Sequence, residues 1–295
     1  MDTKSEIRDF LTSRRARIAP EDVGLPVFGG MRRVPGLRRE EVATLAGVSV
    51  DYYNRMERGN LAGASDTVLE ALSRALKLDQ AERSHLFDLA RASQAGRPRR
   101  SPGSRRATVR PSVQWMLDAM TGAAAFVQNG RLDILGSNQL GRAFYSELFS
   151  GEPSSVALNW ARFIFLDPRS MSFYADWNRA AKECAALLRM EAGRDPYDRG
   201  LTDLVGELST QSQAFRTHWA SHDVRLHHKG IKHFVHPMVG ELELSYDRVE
   251  LAADPGVTIL AYTAEPGSRS AEAFGLLGSW AASSDEPAPA ESPGT

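Results

Sequence analysis

Cysteine is almost missing from this sequence: Cys184 is the one thiol in 295 residues. That excludes a disulfide framework and a cysteine-rich zinc site. Long apolar runs are missing as well. The best membrane candidate, Ala119 to Gly130, is short and carries Thr121, Gln128 and Asn129, whereas a spanning helix needs about 20 apolar residues. Met1 to Phe10 alternates acids and bases around no apolar centre, so no secretory signal is expected there and the expected location is the cytoplasm. No Gly-x-Ser-x-Gly elbow, P-loop or dinucleotide fingerprint occurs, so neither an enzyme nor a bound cofactor is expected. Charge of either sign is nearly balanced, at −1 overall.

The balance hides an uneven distribution. Met1–Pro111 holds 21 Lys and Arg against 14 Asp and Glu, and Ser112–Thr295 holds 15 against 23. A basic front on an acidic body suggests that the front meets a polyanion. The length favours two domains, and the composition, 42% hydrophobic and 25% charged, is that of a globular protein. Gly96 to Pro111 (GRPRRSPGSRRATVRP) has six arginines, no acid and nothing to build a core. It reads as a cationic linker. Ser283 to Thr295 is a Pro- and acid-rich tail expected to be disordered. The expected division is therefore 1–95, a linker at 96–111, a second domain at 112–282 and a tail at 283–295.

The front domain reads as five helices. Ile7, Phe10, Leu11 and Ile18 are near helical spacing in Glu6–Ile18, and Ala19–Gly36 is broken into a loop by Gly and Pro. Leu37–Ala46 and Ser49–Arg58 are short helices interrupted at Gly47. Ser65 caps a helix bearing Val68, Leu69, Leu72 and Leu76, and Asp79 with Glu82 has capping-box spacing for the last one.

Arg39 to Glu57, REEVATLAGVSVDYYNRME, has helix-turn-helix spacing within a motif spanning residues 37–59. Ala43 is small where the second helix crosses, Gly47 makes the turn, and Val42, Val48, Tyr53 and Met56 fall at the buried contact. The second helix of such a motif enters the major groove of double-stranded DNA. Ser49, as its N-cap, and Val50, Asp51, Tyr52, Asn54 and Arg55 are then the candidate contacts. Arg55 suits guanine, Asn54 adenine and Val50 a thymine methyl. Arg38 and Arg39 are placed to clamp phosphates, which fixes orientation without reading sequence. Glu57 is expected to pair with Arg14 or Arg15.

The back half mixes element types. Val127–Gly130 followed by Leu132, Ile134 and Leu135 reads as two strands about an Asn-Gly turn. Asn138–Phe149, Leu158–Leu166, Met171–Ala192 and Ser212–His222 read as helices. Val224–His228, a Lys229–Gly230 turn, Ile231–Val235, Glu241–Leu251 and Val257–Tyr262 follow as strands. Leu242, Leu244 and Tyr246 alternate with Glu241, Glu243 and Ser245, giving a sheet with one wet face. The expected fold is an all-α helix-turn-helix domain followed by an α+β domain with an antiparallel sheet.

The stretch Arg32–Gly59, RRVPGLRREEVATLAGVSVDYYNRMERG, resembles Cro/repressor-type (XRE) regulators, and more narrowly the MmyB-like branch. Asn159–Pro168 (NWARFIFLDP), His236–Tyr246 (HPMVGELELSY) and Tyr262–Ser268 (YTAEPGS) resemble the MmyB-like ligand-binding domain. The resemblance covers nearly all of the chain except the linker and tail. It implies a PAS-like second domain and a small apolar ligand such as a fatty acid. Relatives of the first kind often begin both motif helices with Gln, where this chain has Arg39 and Val50.

A transcriptional regulator is the resulting expectation, with a homodimer reading two half-sites. Val127, Leu135, Phe144, Phe163, Trp177 and Leu188 are expected around one apolar interior. Asn138, Arg162, His222 and Lys232 are expected nearest its polar end. Six of seven histidines lie between His218 and His236. His218 and His222 have i, i+4 spacing, but no third ligand is placed for a metal, and none is expected. His236 reads as structural or ligand-sensing, and Cys184 as a buried small hydrophobe. Two rival readings make the second domain a protein-interaction module or a metal-dependent enzyme.

Overall fold

A computed structural model describes residues 3–25, 36–94, 109–150, 157–221 and 229–284. His222, His227, His228, most of the Arg-rich linker and the tail beyond Ser284 lie outside the described residues. The chain forms two compact units: Met1–Ser104 with Lys182–Leu226, and Arg105–Ala181 with His227–Thr295. The sequence division at the linker placed Lys182–Leu226 with the second domain, whereas compactness groups it with the first.

The first unit opens with α1 (Thr3–Arg17), a 3-10 turn (Pro20–Val23), α2 (Arg39–Ala46), α3 (Val50–Glu57), α4 (Asp66–Ala75) and α5 (Gln80–Gln94). Local chemistry sets these ends. Ser49 Oγ accepts from Tyr52 N at 3.2 Å to start α3, and Ser65 Oγ accepts from Val68 N at 3.4 Å to start α4. Asp79 and Glu82 bond reciprocally to each other's backbone N–H, at 2.8 and 3.1 Å. Gly47 ends α2 at φ +66°, and its N–H reaches Thr44 O at 3.1 Å. Ile7, Phe10, Leu37, Val42, Tyr53 and Leu72 are wholly buried between these helices, each stabilising the fold by about 1.5–3 kcal/mol before entropy.

The second unit contains α6 (Pro111–Asp118), β1 (Ala124–Asn129), β2 (Ile134–Ser137), α7 (Gln139–Phe144), α8 (Ser146–Phe149), α9 (Trp160–Leu166) and α10 (Ser170–Phe173). The long α11 (Trp177–Arg194) passes from it into the first unit, where α12 (Arg199–Gln211) and α13 (Gln213–Ala220) follow. β3 (Lys229–His236), β4 (Gly240–Glu250), β5 (Val257–Thr263) and α14 (Arg269–Ser284) complete the second unit. Its five strands form an antiparallel sheet in the order β2-β1-β5-β4-β3. This is the α+β class that the alternating pattern predicts.

Strand alternation sorts the two faces. Phe126, Leu244, Tyr246, Leu260 and Tyr262 point to the aromatic interior, where Phe144 and Tyr145 are fully buried. Val127, Ala125 and Ile259 point the other way and pack with Val113 and Leu117 of α6, with Leu135 beside them. Val127 and Leu135 therefore do not line the interior of Phe144 as expected. Residues one apart on a strand cannot share a face.

Several local expectations change. The helix expected over Asn138–Phe149 is interrupted at Tyr145, which ends α7 and precedes α8. The β1–β2 turn is not a two-residue Asn-Gly turn: Gln128 pairs with Ile134, and Asn129 Oδ1 accepts from Arg131 N and Asp133 N, both at 3.0 Å. Leu132 there takes φ +65°. Lys229–Gly230 is strand rather than turn, paired with Asp247 and Tyr246, because the absent Cβ of Gly230 leaves room for the Tyr246 ring. The helix expected over Met171–Ala192 breaks at Tyr174–Asp176, where Tyr174 bridges Phe234 and Ala175 N donates to His233 O at 3.2 Å. That break covers part of the β3 edge, which would otherwise offer unpaired backbone groups. The helix α12 carries no expectation from the sequence reading.

Candidate DNA-reading and ligand-binding sites

The first unit fixes α3 through a buried carboxylate. Glu57 Oε1 accepts from Thr12 Oγ1 at 3.1 Å and from Arg15 Nη2 at 2.7 Å, and its Oε2 accepts from Arg39 Nε at 2.8 Å. Burial alone would raise the Glu57 pKa, but the Arg15 and Arg39 bonds outweigh it and hold the carboxyl below its usual range. The expected Glu57–Arg15 pair is present. Arg14 pairs instead with Glu82, at 2.9 Å. Arg39 keeps an exposed side chain while serving this cluster, so its role is at least partly structural.

With that frame set, α3 turns a row of side chains outward. Ser49, Val50, Asp51 and Arg55 are exposed, Tyr52 and Asn54 are half-buried, and Tyr53 and Met56 are buried. The Arg55 guanidinium stands over the Tyr52 ring, 4.8 Å from its centroid, which restricts a flexible side chain before it meets any partner. Arg38 is exposed ahead of α2, its N–H donating to Glu41 Oε2 at 2.6 Å. Arg58, also exposed, continues this row and carries no sequence expectation.

A second cluster in this unit was not legible in sequence. Arg189 of α11 is buried, with Nη1 donating to Glu6 Oε1 at 2.5 Å and Nη2 to Trp219 O. Its guanidinium lies 4.1 Å from the Trp219 ring centroid. His85 Nε2 lies 3.9 Å from the same Glu6 oxygen. Burial pushes the Glu6 carboxyl up, yet His85 and Arg189 together bring it down to about 2.

In the second unit the interior is aromatic. Phe144 and Phe163 come together around Tyr145 and Phe173: Phe144–Tyr145 centroids are 4.8 Å apart and Phe163–Phe173 centroids 6.1 Å. Tyr145 and Tyr174 share a hydroxyl contact at 3.0 Å, and burial raises the Tyr145 phenol well above its ordinary range. Trp177 is half-buried at the start of α11, its indole N–H donating to Ile164 O at 3.0 Å and Ser170 Oγ at 3.1 Å. Lys232 lies on the interior side of β3, 4.9 Å over the Tyr246 ring, and Arg162 is half-buried on α9.

Asn138 is spent on the fold. Its Oδ1 accepts from Ala125 N at 3.0 Å and Gly141 N at 2.8 Å, while Nδ2 donates to Met120 O and Ala123 O at 2.8 and 2.7 Å. It caps α7 and leaves no hydrogen for a ligand. His236 is buried against Phe144, with Nδ1 accepting from Met238 N at 3.2 Å and Nε2 3.3 Å from Ala143 O. Burial lowers its pKa, and its contacts are structural. Leu188 falls in the stretch grouped with the first unit, and His222 lies outside the described residues.

Among the described residues, no group of three or more His, Cys, Asp or Glu is placed to hold a metal ion, and no helix is long and apolar enough to cross a membrane. Residues 109–277 match the MmyB-like transcription regulator ligand binding domain, and residues 6–86 match a helix-turn-helix domain. Comparison with curated proteins returned no match. A helix-turn-helix head and a ligand-binding domain on one chain define a ligand-responsive transcription regulator. The ligand-binding match spans more than half of the sequence, and the chain belongs to the MmyB-like transcription regulators.

Proposed function

We propose that this regulator reads a double-stranded DNA operator as a homodimer and responds to a fatty acid. The observation that carries the reading is the outward row on α3, Ser49 to Arg55, held on a buried Glu57 cluster in a chain that also carries a ligand-binding domain. Arg55, Asn54 and Val50 meet base edges, Ser49, Asp51 and Tyr52 border them, and Arg38 and Arg39 hold phosphates. Two copies related by a two-fold axis place two such helices on successive turns of the duplex.

The acyl chain lies among Phe144, Phe163 and their aromatic neighbours, gaining about 0.8 kcal/mol per buried methylene. Trp177 positions the first turn of α11, and Arg162 and Lys232 flank the polar end. Selection of binding sites from a randomised duplex library, followed by titration with and without hexadecanoic acid, tests this. The acid should raise the melting temperature and change operator affinity by about fivefold or more. Trp177→Ala should abolish both responses while operator binding survives. Failure to enrich any sequence would sink the DNA reading.

A second reading, a protein-interaction module in place of a sensor, draws on the exposed Trp115 and Met116 of α6 and Leu276 and Trp280 of α14. It calls for no thermal response to acyl ligands.

A further inference from the structure

Among the described residues of the second unit, two polar side-chain atoms are buried without a hydrogen-bond partner: Gln128 Oε1 and Trp160 Nε1. Gln128 is 1% exposed and Trp160 5%. Both stand on the Phe126 side of the sheet. Gln128 follows Phe126 by two residues on β1 and so shares its face, and the Trp160 ring meets Phe126 edge-on at 5.1 Å. The start of α9 is also tied to the hairpin that closes on Gln128, since Trp160 N donates to Leu132 O at 3.1 Å and Ile134 stands opposite Gln128.

The surrounding fold satisfies its other buried amides. Asn138 makes four hydrogen bonds, and Asn159 bonds Arg131 O, Asp133 Oδ1 and the first turn of α9. An orphaned acceptor and an orphaned donor each cost stability, and native interiors rarely keep them. Leucine or methionine at 128 and phenylalanine at 160 would fill similar space without that cost. One acceptor and one donor together suit a group that gives one hydrogen bond and takes one.

We propose that Gln128 and Trp160 hold the polar head of the ligand, and that this head is an uncharged hydroxyl or protonated carboxylic acid. The head donates its O–H to Gln128 Oε1, and its oxygen accepts from Trp160 Nε1. The apolar remainder lies against Phe126, Tyr145 and the rings beyond. An ionised carboxylate lacks the proton that Gln128 Oε1 takes. This assignment rests on the ligand-binding reading above and replaces a cationic anchor with a neutral one.

The test uses the full chain with decan-1-ol, decanoic acid and methyl decanoate, read by calorimetric titration and melting temperature. Decan-1-ol should bind at least as well as decanoic acid, and the ester, which has no hydrogen to give, about tenfold more weakly. Gln128→Met and Trp160→Phe should each weaken decan-1-ol binding about tenfold. Gln128→Met should leave the ligand-free melting temperature unchanged or raised, because no hydrogen bond is lost. Equal binding of ester and alcohol, or unchanged binding in both variants, would overturn the assignment alone. No response of the wild-type chain to any of the three amphiphiles would overturn the ligand reading and this assignment with it.

Discussion

Glu6 and Arg189, 183 positions apart in sequence, share a buried ion pair. Glu6 lies in the residues that match the helix-turn-helix domain and Arg189 in those that match the ligand-binding domain. Both belong to one compact unit. The pair thus joins two lengths of sequence that the family matches assign to separate domains.

Breaking that pair should be expensive. Arg189→Met leaves Glu6 charged in the interior, at a cost of about 3–5 kcal/mol. Replacing both partners, as in Glu6→Leu with Arg189→Met, should recover most of the loss. Urea denaturation of the full chain measures each variant. If the single and double variants unfold alike, the desolvated charge is not what destabilises.

Acid should reveal the same carboxylate. The Glu6 pKa in the folded chain is about 2 against an ordinary value of 4.5. The stability it contributes is complete above pH 4.5 and is lost as pH falls toward 2. Glu57 and Asp133 are also held below their usual ranges and add to the acid loss. Glu6→Gln should therefore make the decline between pH 4.5 and 2 shallower without removing it. A variant profile parallel to wild type would show that Glu6 is not protonated on unfolding.

Gly193→Ala should destabilise where helix propensity argues the reverse. Alanine for glycine ordinarily favours a helix by about 0.5–1 kcal/mol. Here an added Cβ would meet the buried His85 ring, at 2.6 Å from Nδ1. The ring packs edge-on against Phe10, with centroids 5.1 Å apart, so it has little room to withdraw. A lowered melting temperature is expected, and Gly193→Ala with His85→Ala should melt no lower than His85→Ala alone.

On DNA, Arg38→Ala should weaken binding to every duplex and shallow the log–log salt slope by about one. Arg55→Ala should instead relax preference at one base pair, at a cost of about 1–3 kcal/mol. Arg39→Ala should also lower the melting temperature, because Glu57 loses a bond. Fluorescence anisotropy over a salt series separates the effects. Wild-type binding by both Arg38→Ala and Arg55→Ala would exclude α3 as the reading helix.

The sequence by itself determined what depends on neighbours a few residues away. Ser49, Ser65 and the Asp79–Glu82 box set helix starts through bonds spanning three positions. Gly47 ended α2 because the turn needs a left-handed backbone. The alternation of Leu242, Leu244 and Tyr246 with acids marked the wet and buried faces of β4. The tertiary structure decided which distant partner each side chain meets. Asn138 reads in sequence as a free donor, and only the approach of Ala125, Met120 and Ala123 commits its amide to backbone. Val127 and Phe126 look equally apolar, yet the sheet sends one beneath α6 and the other into the aromatic interior. Glu6 and Arg189 carry no shared local signal. Their pairing exists only because folding brings two segments 183 positions apart into contact and buries both side chains.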